Sequence, residues 1–167
     1  AANDFTLVSA AYNKNIELMK VSFLNALLTE KSFEGSKSEF DDFLVTHELE
    51  FLKQNKTLFT IRLANKNKTS HSSSNQINRQ IIQEIAKKYS KSEVFIFSSY
   101  VICIVTGNSN ELEEIRDILP IDIIDTAKKL LNEQVVIGIS EPYNDLFQTR
   151  KAYRETITAL DYMNTEE

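Results

Sequence analysis

An α+β domain built on a mainly antiparallel sheet is predicted by three features of the sequence. After Lys56, β-rich runs and helix-spaced apolar runs follow in the order strand, helix, strand, strand, helix, strand, helix. Two of the strand runs are separated only by Ser98-Ser99, a connection that suggests a tight hairpin although the strong Asn-Gly turn signal is missing. Ahead of them, Phe5 to Leu28 contains no Gly or Pro, so the domain carries an amino-terminal helical extension. Strand, helix, strand, strand, helix, strand is the ferredoxin-like βαββαβ order, and it predicts helices on one face of the sheet.

In the extension, assigned to residues 1–30, Tyr12, Ile16, Met19, Phe23 and Ala26 follow one another at intervals of four and three. That is a heptad seam, interrupted earlier by Ser9. A second apolar set, Leu18, Val21, Leu24 and Leu28, lies round the same helix. A helix with two apolar sets has two surfaces to bury. The first set makes a candidate homodimer interface and the second serves the domain, although a helix packed on both sides inside one domain uses the same residues.

The domain proper is assigned to residues 31–167. Ser36 followed by Glu39 has the capping-box spacing and opens a short helix through Phe40, Phe43 and Leu44, after a turn at Gly35. Thr57 to Leu63 is rich in β-formers but alternates in polarity only partly. Asn65 to Gln76 reads as an exposed loop, and Ser73 with Gln76 starts a helix bearing Ile77, Ile81, Ile85 and Tyr89. Val94 to Phe97 and Tyr100 to Val105 form the hairpin. Asn110 with Glu113 is read as the cap of the next helix, which Pro120 divides or kinks before Ile123, Ile124, Ala127, Leu130 and Leu131. Gln134 to Ser140 is the last strand, and Asn144 is read as the cap of a final helix with Leu146, Tyr153, Ile157 and Leu160.

A net charge of -5 argues against direct nucleic-acid contact, which needs clustered Lys and Arg on one face. The single cysteine, Cys103, sits in Val101-Ile102-Cys103-Ile104-Val105 and reads as a small core residue. No apolar run reaches the roughly 18 residues that span a bilayer, so no membrane partner is expected and the localisation is read as cytoplasmic.

The sequence offers little catalytic chemistry. Metal-dependent phosphoryl transfer on such a core needs carboxylates near the first strand and the hairpin, to hold the ions that neutralise developing charge. The first strand exits through Thr60-Ile61-Arg62-Leu63-Ala64-Asn65-Lys66, and the hairpin reads Phe97-Ser98-Ser99-Tyr100, without a carboxylate in either. His47 and His71 lie in no zinc spacing. No enzyme activity, metal or cofactor is therefore expected. Lys66, Lys68, His71 and Arg79 remain as weak candidates for a phosphate-bearing ligand, without a Gly-rich cradle beside them.

The run Val135-Val136-Ile137-Gly138-Ile139-Ser140-Glu141-Pro142-Tyr143, continuing to Lys151-Ala152-Tyr153-Arg154-Glu155-Thr156-Ile157-Thr158-Ala159-Leu160, resembles a known module. It is similar to the degenerate GGDEF-like domain of bacterial transcription regulators. Gly138, Ser140, Tyr153, Glu155, Ala159 and Leu160 match that motif, while Thr156 stands where the family often has Ala. The resemblance implies a regulator of the YesN-like, AraC-family kind, or of the CdaR or PucR-like kind. Its partners would be an input or receiver domain, as in a two-component response regulator, and an AraC-type DNA-binding domain of the same full-length protein. Active relatives, the diguanylate cyclases, carry Gly-Gly-Asp-Glu-Phe at the hairpin and an Asp after the first strand. Ser98, Ser99 and Asn65 stand in those regions here, so the resemblance implies a non-catalytic coupling and oligomerisation domain, or alternatively a nucleotide or small-molecule sensor without turnover.

Overall fold

A computed structural model describes the backbone at residues 2–29, 37–64 and 71–166, with side chains within 14–29, 37–64 and 75–163. In chain order its elements are α1 (Ala2–Thr29), α2 (Lys37–Thr46), a 3-10 turn (Glu50–Lys53), β1 (Lys56–Leu63), α3 (His71–Lys88), β2 (Ser92–Phe97) and β3 (Tyr100–Thr106). There follow α4 (Ser109–Leu131), β4 (Val135–Ile139), a second 3-10 turn (Leu146–Gln148) and α5 (Thr149–Glu166). The four strands form one sheet in the order β2-β3-β1-β4. Every neighbouring pair is antiparallel. This is the expected α+β ferredoxin-like core.

The helices cover both faces of the sheet, not one as the sequence predicted. On one face α3 and α4 pack over Phe59, Ile61, Val101, Cys103, Val105, Val135 and Ile137. On the other, α1, α2 and α5 enclose Leu58, Phe95, Ile102 and Ile104, together with Phe23, Leu24, Leu27 and Leu28 from α1 itself. The extension therefore builds the second face of the core. This also explains the weak alternation of β1, whose eight residues are all buried.

Capping also differs from expectation in two places. Helix α4 starts at Ser109 because Asn108 and Glu111, not Asn110 and Glu113, form the capping box: Asn108 Oδ1 accepts from Glu111 N–H at 2.8 Å and Glu111 Oε1 accepts from Asn108 N–H at 3.1 Å. The final helix begins at Thr149, and Asp145, not Asn144, caps the 3-10 turn before it through Phe147 N–H at 3.0 Å. Pro120 lies within one 23-residue helix. The buried residues on either side of it, Leu119 and Ile123, hold the helix to the sheet, so the missing N–H does not divide it. Helix α3 begins at His71, two residues before the predicted Ser73. The proposed caps at Ser36 and the turn at Gly35 lie outside the described residues.

Candidate functional site

At one end of the sheet, β2 turns into β3 through Ser98 and Ser99, both at positive φ (56° and 114°) as a tight hairpin requires. Serine adopts this backbone less readily than glycine does, so the tip is strained. Helix α3 lies alongside it, and the buried Asn78 donates from Nδ2 to the Ser99 carbonyl at 3.4 Å. The strand that leaves the tip opens with Tyr100 and Val101. Among the described residues, the edge where carboxylates would gather therefore carries hydroxyl, amide and phenol groups. Among the described residues no group of three His, Cys, Asp or Glu is placed to hold a metal ion.

The phosphate-ligand candidates are not brought together by what can be described. Lys66 and Lys68 lie outside the described residues, as does the His71 side chain, while Arg79 is exposed on α3. Asn78, one residue earlier, makes the contact to the hairpin. The sequence signal for it was a polar residue beside the Ile77, Ile81, Ile85 stripe.

The motif positions converge where β4 passes under α5. A Cβ at Gly138 would stand 2.4 Å from the Thr156 carbonyl oxygen, so only glycine lets α5 approach this closely. Thr156 Oγ1 donates to the Tyr153 carbonyl at 2.6 Å and lies 2.7 Å from Thr60 Oγ1, which joins β1 to α5 through two buried hydroxyls. Ser140 Oγ accepts from Leu58 N–H at 3.0 Å, and Glu155 Oε2 accepts from Glu141 N–H at 3.1 Å. Tyr153 meets Phe97 edge-on with ring centroids 5.5 Å apart, Leu160 is buried and Ala159 half-buried. Gly138, Tyr153, Glu155 and Leu160 thus help to seat α5, while Ser140 joins β4 to β1.

Beside this junction sits a group that sequence reasoning missed. Lys56, which opens β1, is fully buried; its backbone pairs with Tyr143 through two hydrogen bonds of 2.9 Å. Its ammonium donates to the Asn144 carbonyl and lies 4.8 Å from the centre of the Tyr143 ring. Burial lowers its pKa from 10.5 to about 8, and the Asp145 carboxylate acts in the opposite sense. Tyr143 is half-buried, the loss of solvent around its hydroxyl raises the phenol pKa, and that hydroxyl lies 3.0 Å from Thr149 Oγ1. Cys103, as expected, is a core residue whose thiol is pushed up by burial.

The predicted seam on α1 divides between surfaces. Phe23 belongs to the domain core, with its ring 5.7 Å from Phe40 and 4.6 Å from Phe43. Ile16 and Ala26 are half-buried, Met19 is 54% exposed, and the Tyr12 side chain lies outside those described. From the second set, Leu24 and Leu28 are buried but Leu18 is 58% exposed. Lys20 fastens the helix to β2 through Glu93 at 3.1 Å, where burial raises the carboxyl pKa and Lys20 counters it. The solvent face of α1 thus carries Leu18, Met19 and Val21.

Among the described residues no helix is long and apolar enough to cross a membrane. A family model described as GGDEF-like domain matches residues 52–162. Neither a curated protein nor a solved structure gives a significant match.

Proposed function

The chain belongs to the GGDEF-like domain family, and from that premise we propose that it is a non-catalytic domain that couples signal input to the output of a DNA-binding transcription regulator. The observation that carries this reading is the hairpin edge. Metal-assisted phosphoryl transfer needs carboxylates to hold divalent ions against the developing charge. The tip instead offers Ser98, Ser99 and Tyr100, and Asn78 ties it to α3. The resemblance of the strand–helix motif to AraC-family, YesN-like regulators suggests the context, with an input domain before it and DNA-reading helices after it.

The packing of α1 supports a coupling role. Its carboxy-terminal half is part of the core through Phe23, Leu24, Leu27 and Leu28, so a displacement of the helix is transmitted directly to the sheet and α5. Its solvent face, with Leu18 and Met19, pairs with a second copy in the full-length homodimer. Phe23, being in the core, does not serve that contact.

Two measurements test the reading. Purified protein incubated with GTP or ATP and magnesium or manganese is expected to yield no cyclic or linear dinucleotide; sustained turnover that tracks the protein through purification overturns the non-catalytic assignment. Leu18→Glu with Met19→Glu is expected to leave circular dichroism unchanged and to weaken dimerisation of the full-length regulator. Unchanged association rejects α1 as the contact.

A further inference from the structure

We propose that the solvent face of α4 is a self-association surface, on which a second copy of this chain packs antiparallel across a two-fold axis passing Ile121. The proposal goes beyond the reading above and does not depend on it. Helix α4 buries Leu112, Leu119, Ile123 and Ala127 against the sheet. On the opposite side Ile118, Ile121 and Ile124 are 47%, 70% and 45% exposed. Three isoleucines in one stripe form a patch that a chain in isolation gains nothing by presenting to water.

The charges around the stripe identify its occupant. At about 100° per residue, Glu114, Asp117, Ile118, Ile121, Ile124, Asp125 and Lys128 all fall within about 60° of Ile121. The four charged residues among them are exposed. A two-fold axis at Ile121 sets Ile121 on its own counterpart and brings Glu114 level with and close to Lys128 of the second copy, while Ile118 and Ile124 of each copy flank the seam on its two sides. These contacts are reciprocal, as an isologous interface requires. Among the described residues, the ion pairs of α4 involve Arg116, Asp122, Asp125 and Lys129, which leaves Glu114 and Lys128 for the second copy. The one like-charge meeting, Asp117 with Asp125, is relieved because Lys129 lies 3.0 Å from Asp125. Parallel packing would instead stack each charge on itself, which selects the antiparallel arrangement. If α1 also pairs, two separate isologous contacts on one chain build assemblies larger than a dimer.

Sedimentation over a concentration series tests this. Ile121→Glu is expected to remove one step of association, with at least a tenfold weaker self-affinity and unchanged circular dichroism. Lys128→Glu should weaken association, and adding Glu114→Lys to it should restore association, because the swapped pair regains its partner. Since the axis passes residue 121, Ile121→Cys should give a disulfide-linked dimer under mild oxidation, while the buried Cys103 does not react. Association indifferent to Ile121→Glu, as when it runs through α1 alone, overturns the proposal. Failure of the charge swap to restore affinity overturns the antiparallel register.

Discussion

The two faces of the sheet are built on different principles. Against α3 and α4, β1 presents Phe59, Ile61 and Leu63, together with the buried Thr57, to a largely apolar cluster. Against α1 and α5 the same strand presents Lys56, Leu58, Thr60 and Arg62, and buried hydroxyls at Ser140 and Thr156 meet Leu58 and Thr60. Apolar contact is non-directional, so the first face tolerates exchange of one aliphatic side chain for another. The second face is specified by hydrogen bonds and one close backbone approach, which permit a single seating of α5. All the family-motif positions lie on or beside this second face.

The largest effect that would sharpen this contrast is expected at Gly138. With a carbonyl oxygen 2.4 Å from the added Cβ, Gly138→Ala must displace the α5 backbone. A loss of about 3 kcal/mol or more is expected in urea or thermal unfolding. A loss under about 1 kcal/mol would show that α5 is seated loosely.

Next comes the pH dependence of Lys56. Below pH 8 the folded and unfolded chains both hold its proton; between about 8 and 10.5 only the unfolded chain does, so raising the pH through this window favours the folded state. Cys103 and Tyr143 act in the opposite sense at alkaline pH, because burial keeps them protonated after the unfolded chain has ionised. The Lys56 effect is therefore read as wild type minus Lys56→Met. That difference should shift in favour of wild type by on the order of 2 kcal/mol between pH 7.5 and 10.5, allowing for partial solvent screening. A flat difference would show that the ammonium is well solvated.

A smaller effect is expected of the buried hydroxyls. Thr60→Val and Thr156→Val should each cost about 1 to 2 kcal/mol, and the double variant should cost less than their sum by about 1 kcal/mol. Strict additivity would show that the 2.7 Å contact contributes nothing. On the apolar face, Ile61→Val is expected to cost about 1 kcal/mol, by loss of one buried methylene. If it cost as much as Gly138→Ala, the contrast between the two faces would fail.

How much of this was legible in the sequence follows the same division. The strands and helices were readable because Val, Ile and Phe cluster in short runs and apolar residues repeat at helical spacing elsewhere. The tight hairpin was readable from its length, although neither Ser98 nor Ser99 is the glycine that positive φ favours. What α1 packs against was not readable. Phe23 and Met19 both fit a heptad, and only the positions of Phe40 and Phe43 on α2 draw the former into the core. The role of Lys56 was hidden too, since its partners Tyr143 and Asn144 come from a distant part of the chain. The Asn108 and Asn110 alternatives differ by one half-turn of helix, and local spacing does not separate them.

The central place of β1 governs the order in which the molecule can assemble. Its neighbours are β3, reached at Thr106, and β4, reached at Ile139. During synthesis β1 leaves the ribosome with both edges open, and neither closes until those later strands have been made. Only the β2–β3 hairpin forms from contacts near in sequence. Phe23, Leu24, Leu27 and Leu28 of α1 can meet Phe40 and Leu44 of α2 early, but their cluster closes only when Leu146 and Ala152 have emerged.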